Sequence, residues 1–570
     1  MRPYLSLLCL LVGCGLLSTA KFPTFDPLRI PTNENNILDI VEEVQGSRKQ
    51  LFNECEQNLS CYAEYEGVRL SAIGKLNMVI NVNLEKKKEA QRAFEKLPDG
   101  ASQFVYEKFQ NQEGDVTTRK YRSALLLDIK YKGIGDENEK IIESKRKELS
   151  GLIRDAKSTI TNDNTSISLK PDELTGCPSR IRDTKSDIKL TKGNTKLLLI
   201  CLNDSEARRR VYVVNKTRCS ENKALWQKIL KLRQEIAELL GYPNHLAMRV
   251  SKGMAKDVFR VEQFLKEEHE RLSQPVDRNL ALQPWDVLYV MKGIRKKEKE
   301  SSIDDTIASV ISKVSQILKI KFVEVNVKKW ESLVKAFALY NNEKLCGFLY
   351  LDLFHRKGKF PRTAHFPVIP RFRKTDDQIV LPVSLIVANF VEGKKISRSD
   401  QALLFHEFGH AMHALLSVSD FARFSASNVE KDFVEMPSQL AEKWLVGDKQ
   451  DLYSRRSQLF LSIYDYEIHT KKDVDHEQVY NQLLDKFGST ISPSITGPNA
   501  FGHLLGGYDG FYYGYLWSLR IAEQIWLNPR GFNDGKLDAG ERYKKTILMK
   551  GSSESAETLI KEFIGNDGKL

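Results

Sequence analysis

The feature that most constrains this chain is the stretch from Gln401 to Ser417, QALLFHEFGHAMHALLS. Its apolar residues demand a largely buried helix, and that helix carries His406 and His410 four positions apart. Positions i and i+4 share one helix face, so the two imidazoles can meet a single ion with Glu407 beside it. Leu403, Leu404, Phe405, Met412, Leu415 and Leu416 pull the helix inward. Burying His406, Glu407 and His410 there without a partner is costly, and a zinc ion removes that cost. Two histidines and one more carboxylate leave a coordination position open, as a hydrolytic site needs. Zinc also lowers the pKa of water toward ~7, within reach of Glu407 as proton acceptor. One zinc ion per chain is therefore expected. A metzincin would have Gly at position 413 and His at 416. His413 and Leu416 stand there instead, which excludes that class. The third ligand must come from elsewhere, and on spacing alone Glu430, Glu435 and Glu442 are all candidates.

The rest of the chain reads as mainly helical. From Ala224 to Leu240, the residues Leu225, Ile229, Leu232, Ile236 and Leu239 form one apolar stripe, and Gly241 and Pro243 end it. Segments 60–97, 136–158, 256–274 and 302–318 have the same character. Strand signals are limited to Phe348–Leu353, Leu197–Leu202 and Ile379–Val387. The polar stretch Ser158–Lys192 reads as a loop, a compact insertion or a domain junction. The chain has 570 residues, is 41% hydrophobic and carries a net charge of +12. Its basic runs are short and mixed with acids, so they read as solvated faces. Arg208-Arg209-Arg210, the densest, is read the same way, and no nucleic-acid partner is expected.

Arg2, the apolar stretch Tyr4–Leu17 and the small residues Ser18-Thr19-Ala20 read as a signal peptide cut after Ala20. The stretch is short for a membrane span of roughly 20 residues, so secretion without a stable anchor is expected. Leu11-Val12-Gly13-Cys14 resembles a lipobox, but the chain stays apolar through Gly15-Leu16-Leu17. Beyond the leader remain Cys55, Cys61, Cys177, Cys201, Cys219 and Cys346, an even number that suits an oxidising compartment. Cys55 with Cys61 and Cys201 with Cys219 are the local pairings that spacing suggests. Glycosylation sequons occur at Asn58, Asn164, Asn203 and Asn215.

Asp432-Phe433-Val434-Glu435-Met436-Pro437-Ser438-Gln439, with Glu442 and Trp444 after it, resembles the thimet oligopeptidase and neurolysin family of zinc metallopeptidases. So does His503-Leu504-Leu505-Gly506-Gly507-Tyr508-Asp509 running on to Tyr512, Tyr513, Gly514 and Tyr515. Further blocks fall at Leu230–Tyr242, Pro284-Trp285-Asp286, and Tyr350–Leu353 with Arg356, Gly358 and Lys359; the likeness spans about 203–563 in order. The resemblance implies Glu435 as third zinc ligand, with Glu442 as a residue that orients a ligand or is simply exposed. It implies Tyr508 and His503 as catalytic groups and Tyr512 and Tyr515 as substrate contacts, while Tyr513 reads as packing. Gly506 and Gly507 would give the loop its freedom to bend. Pro361, Arg362 and Thr363 before His365 depart from the family pattern, as does Met436.

The resemblance further implies a mainly α fold with two helical lobes around a deep substrate channel and a small β-sheet near the active site. Residues 1–20 form the leader, 21–195 a helical N-terminal region, and 196–570 the catalytic region. The expected activity is that of a monomeric, secreted metalloendopeptidase cutting internal bonds of short unstructured peptides, whose backbone would lie along strand 348–353. The rival readings are a secreted peptide-binding protein that keeps the fold and a zinc protease of folded proteins.

Overall fold

Apolar residues three and four apart run through most of the chain, and in the computed structural model they fold as helices. It describes residues 34–54, 59–82, 116–184, 187–273, 283–295, 300–327, 329–425, 428–447, 452–487, 497–532 and 537–565. The expected leader, Cys55 and Asn58 lie outside these, so the expected Cys55–Cys61 pairing falls outside the described residues too. The helices that matter for the site begin with α1 (Glu34–Glu54), α2 (Leu59–Val82), α3 (Val116–Lys132) and α4 (Glu139–Asn162). They continue with α5 (Lys192–Cys201), α6 (Ser205–Lys216), α7 (Asn222–Leu239), α8 (His245–Val250), α9 (Val258–Ser273) and α10 (Ile303–Leu318). A sheet follows, made of β1 (Lys321–Glu324), β2 (Lys335–Asn341), β3 (Lys344–Phe354), β4 (Ala364–Ile369) and β5 (Val383–Phe390). The chain then returns to helix in α11 (Arg398–Leu416), α12 (Met436–Val446), α13 (Leu452–Thr470), α14 (His476–Phe487), α15 (Gly514–Leu527) and α16 (Ala556–Ile564). No helix among the described residues is long and apolar enough to cross a membrane.

The mainly helical fold with a small five-stranded sheet, beside two two-stranded ladders, agrees with expectation. The helix α7 buries Ile229, Leu232 and Ile236, and Gly241 follows it at φ +80°. Leu197–Leu202 is a correction: it belongs to helix α5, not to a strand. The Thr191 hydroxyl caps it by accepting from the Asn194 amide at 3.1 Å, and Leu198, Leu199 and Cys201 are buried. A short apolar run carries no period, so its sequence could not separate the two. Ile379–Val387 is broken into a two-residue ladder strand and β5, because Pro382 between them has no N–H to give a sheet. Ser158–Lys192 begins in the end of α4, and its Leu174, Cys177, Ile181 and Leu190 pack into one apolar cluster with Leu198, Val211 and Tyr212 of α5 and α6.

Cys201 is bonded to Cys177 across a Cα separation of 4.8 Å, not to Cys219. Helix α6, 12 residues long, lies between Cys201 and Cys219 and spans about 18 Å, beyond the reach of a disulfide. Cys219 is buried as a free thiol. The Arg208–Arg210 cluster is paired residue by residue with Asp286, Glu206 and Glu173, as a solvated or structural face should be.

The sheet order is β1-β2-β3-β5-β4, with β3 and β5 parallel and the other neighbours antiparallel. Side chains alternate between its faces. Leu349, Leu351, Leu353 and Ile386 join the core that holds α10, α11 and α12, while Phe348, Tyr350, Leu385 and Val387 fill a second core on the other side. The long apolar run at 348–353 thus marks a central strand buried on both faces. That overturns its expected role as the exposed edge for substrate, since β1 and β4 are the edges. The family block around Asp352 braces the strand end: the buried carboxylate takes Arg356 at 2.7 Å, Lys359 at 2.8 Å and the Trp330 indole at 2.8 Å.

Another large core collects α7, α8, α9, α13, α14 and the segment 501–517. Trp517 packs against both this core and that of α11, so the two meet beside it. Helices α11 and α12 touch most closely at Gly409, where an added Cβ would sit 2.5 Å from Ser438 Cα and 2.6 Å from the Pro437 carbonyl oxygen. Backbone atoms cannot yield as side chains do. Gly409→Ala should therefore cost about 1–3 kcal/mol, to be read as a lower midpoint in denaturant titration; an unchanged midpoint would mean the helices can part freely.

Candidate metal centre and active site

Helix α11 starts where the Ser397 hydroxyl accepts from the Asp400 amide at 3.1 Å. Leu404, Phe405, Phe408, Ala411, Met412 and Leu415 enter the core. With that face committed, His406 and His410 are left toward α12. The segment before α12 is fixed by Asp432, which is fully buried. Its carboxylate accepts from the Met254 and Ala255 amides at 2.7 and 3.1 Å and from the Tyr513 hydroxyl at 2.7 Å. Ser518 donates to its carbonyl at 2.6 Å. Glu435 follows three residues later, at the mouth of α12, where Pro437 suits the first turn.

The result is a convergent donor set. One atom each of His406, His410 and Glu435 lies within 4.8 Å of the others. Glu435 Oε2 is 3.3 Å from His406 Nε2 and 3.2 Å from His410 Nε2. Glu442 Oε1 sits 2.7 Å from His406 Nδ1, so the ring presents Nε2 to the centre. Glu442 is thus an orienting carboxylate of the kind that metal-bound histidines use. Glu430 is turned elsewhere, accepting from the Ala556 amide at 3.0 Å. Burial alone would raise the Glu435 carboxyl, but hydrogen bonds from the two histidines outweigh it and hold the group well below its usual range. Two imidazole nitrogens and a carboxylate suit zinc by donor type.

Glu407 is 6% exposed and its Oε2 accepts from the His365 amide at 2.7 Å. His365 lies on edge strand β4, and its imidazole meets the Ser384 hydroxyl at 3.0 Å. The strand edge at the site is therefore β4, directly beside Glu407.

The tyrosine segment faces this centre from the other core. Asp465 on α13 accepts from the Gly510 and Tyr512 amides at 2.9 and 3.0 Å. Asp509 meets His245 at 2.8 Å, and Arg249 donates to the Gly507 carbonyl at 2.8 Å. The loop is pinned rather than loosely hung. Gly507 and Gly510 take φ of +99° and +69°, conformations that favour glycine, whereas Gly506 at −108° does not need it. Tyr508 Oη donates to Glu435 Oε1 at 2.9 Å. Tyr515 stacks on Tyr508 at 4.9 Å between ring centres. The Lys431 ammonium lies 4.3 Å over the Tyr508 ring. Tyr512 is nearly buried, against Phe501 at 5.1 Å and Tyr515 at 5.4 Å. His503 lies 6.3 Å from the Tyr508 ring; burial, then the charges of Lys192 and Arg362, push its pKa down to about 4. It is neutral at neutral pH. Tyr513, fully buried on Asp432, packs as expected.

All the expected site residues of the catalytic region converge here. The sequon asparagines lie elsewhere. Asn164 and Asn203 are exposed. Asn215 is a correction: it is 4% exposed on α6 and accepts from Thr195 and Arg218, so the folded chain offers no room for a glycan. Sequence reading missed the bracing by Asp432 and Asp465 and the approach of Lys431 to Tyr508. Only Asp432 left a trace, as a member of the quoted motif.

Comparison with known proteins agrees with this geometry. The model of peptidase family M3 matches residues 198–457 and 448–569. A thimet-like oligopeptidase of Dictyostelium discoideum is 25% identical over 521 residues, covering 76% of this chain and 77% of its own. Saccharolysin of Saccharomyces cerevisiae is 24% identical over 548 residues, covering 79% and 76%. A solved chain from Chlamydophila abortus, assigned as a peptidase, superposes with a TM-score of 0.55 over 94% of both chains at 14% identity, a likeness of fold.

Proposed function

The chain belongs to peptidase family M3, and from that premise we propose that it is a secreted, zinc-dependent endopeptidase of short unstructured peptides. The observation that carries this is the meeting of His406, His410 and Glu435 within 4.8 Å, with Glu407 beside them and Tyr508 on Glu435. His406, His410 and Glu435 would hold the ion. Zinc, when bound, supplies Lewis acidity that polarises a peptide carbonyl and makes water nucleophilic near neutral pH.

The chain's own groups do the rest. Glu407 accepts the proton from water and returns it to the leaving amine. The His365 amide fixes one Glu407 oxygen, which sets the orientation of the other. Tyr508 is a neutral O–H donor for the oxyanion that develops in the transition state, and its stack on Tyr515 holds the ring in place. His503, neutral, and Tyr512 and Tyr515 line the same approach and position substrate. An extended peptide can lie along β4 near Ala364 and His365, whose own N–H is held by Glu407, and main-chain contacts of this kind tolerate many sequences. Residues 21–195 we assign to a helical region that forms part of one lobe, with 196–570 as the catalytic region and a channel between the lobes that admits only unfolded chain. Action outside the cell is supported by the apolar stretch Tyr4–Leu17 and by the Cys177–Cys201 disulfide.

The test is to give the protein, collected from culture medium, a short quenched fluorescent peptide and a stably folded protein of matched bond sequence. Peptide cleavage with the folded protein left intact is expected, along with Lys21 at the N-terminus. Cleavage of both would refute the narrow channel, and Cys14 at the N-terminus would point to a lipoprotein.

A further inference from the structure

Tyr508 reaches Glu435 from an irregular turn, not from a helix or a strand, so its aim depends on what holds its backbone. The carbonyl groups of its two neighbours are both taken by one side chain. Arg249 Nη2 donates to the Gly507 carbonyl at 2.8 Å, and Arg249 Nε donates to the Asp509 carbonyl at 2.9 Å. These two peptide groups bracket the Tyr508 Cα. A planar guanidinium that bonds both therefore fixes the segment on either side of Tyr508 with the geometry of a rigid fork. Other braces act farther along the loop: Asp465 on the Gly510 and Tyr512 amides, and Arg233 on the Leu504 carbonyl at 2.6 Å.

The short helix α8 delivers this arginine. Asn244 caps it by accepting from the Ala247 amide at 2.8 Å. His245 and Arg249 then lie one turn apart on one face, and His245 meets the Asp509 carboxylate at 2.8 Å. The arginine stem passes against Gly510, where an added Cβ would sit 3.0 Å from both Cβ and Cγ of Arg249 and where φ is +69°. The remaining terminal nitrogen points the other way. Arg249 Nη1 donates to the Tyr131 hydroxyl of α3 at 3.1 Å. Tyr131 is itself well held. Its carbonyl accepts from Arg146 at 2.5 Å, and the Lys252 ammonium lies 3.8 Å over its ring while bonded to Asp128 at 2.7 Å. Hydrogen bonds thus run from α3 through Arg249 to the backbone on both sides of Tyr508, whose hydroxyl meets Glu435.

We propose that Arg249 is the positioning residue for Tyr508: it fixes the backbone around the tyrosine so that the phenol is aimed at the metal-ligand set, and it ties that aim to α3 through Tyr131. This rests on the peptidase reading. Arg249 touches no reacting atom, so its effect passes through Tyr508 and falls on kcat rather than on KM. Oxyanion stabilisation is sensitive to such placement, since a donor displaced by about 1 Å can cost about 10²-fold in rate. Lysine is a poor substitute, because a single ammonium on a flexible stem cannot hold two carbonyls and a phenol in one plane. The N-terminal helices thereby take part in setting the geometry of the active site.

The experiment is a double-mutant cycle on the full chain, with hydrogen exchange of the 503–515 amides followed by mass spectrometry. Arg249→Met, Arg249→Lys and Tyr131→Phe are made alone and on Tyr508→Phe, and kcat, KM and zinc content are measured on a short peptide. Arg249→Met should lower kcat by about 10- to 100-fold, with KM within a few-fold and zinc unchanged. Arg249→Lys should recover only part of that loss, and Tyr131→Phe should lower kcat by about 2- to 5-fold. On Tyr508→Phe, Arg249→Met should cost less than about 3-fold more, because the group that it positions is already gone. The loop amides should exchange faster in Arg249→Met while those of α11 keep their protection. An equal loss in both backgrounds would mean general damage and overturn the proposal, as would full kcat or unchanged loop exchange in Arg249→Met. Parent-like kcat and exchange in Tyr131→Phe would overturn the tie to α3. Should Arg249→Met fail to fold, Arg249→Lys and Tyr131→Phe carry the same cycle. No turnover by the unaltered protein would sink the peptidase reading instead, and loop exchange alone would then decide whether Arg249 holds Tyr508.

Discussion

Glu407→Gln is expected to keep its metal and to lose between about 10² and 10⁴ in kcat. The two side chains have the same shape, and the Gln amide oxygen can still accept from the His365 amide that Glu407 meets at 2.7 Å. What disappears is the capacity to take a proton and return it. Packing offers little scope for another cause, since Glu407 is 6% exposed and its neighbours Phe405 and Phe408 are fixed in the core. Steady-state rates on one peptide, paired with zinc analysis of the same sample, separate the two effects. A variant with full metal and a rate within a few-fold of the parent would remove Glu407 from proton transfer.

Tyr508→Phe should be the next most damaging change, with kcat down by about 10²–10³ and KM little altered. The ring can keep its stack on Tyr515 at 4.9 Å and its place under Lys431 at 4.3 Å, so only the hydroxyl is deleted. That hydroxyl now donates to Glu435 at 2.9 Å, which shows it within range of the metal ligand set. A phenol suits the task because burial, followed by the nearby Glu435 charge, holds its pKa well above neutrality and keeps it a donor. A change confined to KM would recast Tyr508 as a binding group. Unchanged kinetics would dismiss it from the chemistry.

The metal helix was legible because its information is local. Two histidines at i and i+4 within an apolar flank state both the element and the ion in a few residues. The third ligand was not legible from spacing, which left Glu430, Glu435 and Glu442 open; the family resemblance chose Glu435. The physical basis of that choice is long-range: contact of α11 with α12 at Gly409, and Asp432 tied to Met254, Ala255 and Tyr513. The same limit explains the errors. Leu197–Leu202 has no period to distinguish helix from strand. Strand 348–353 looked available because strand order depends on partners far along the chain. Cys201 found Cys177 rather than Cys219 because α6 intervenes.

The most direct test of the central claim is zinc stoichiometry measured together with turnover on a short peptide, before chelation, after it, and after zinc is restored. About one zinc per chain is expected, with turnover lost on removal and regained in proportion to the zinc returned. Glu435→Ala should hold little metal under the same conditions. Turnover by metal-free protein, or a full zinc complement in Glu435→Ala, would contradict a hydrolytic centre built on His406, His410 and Glu435.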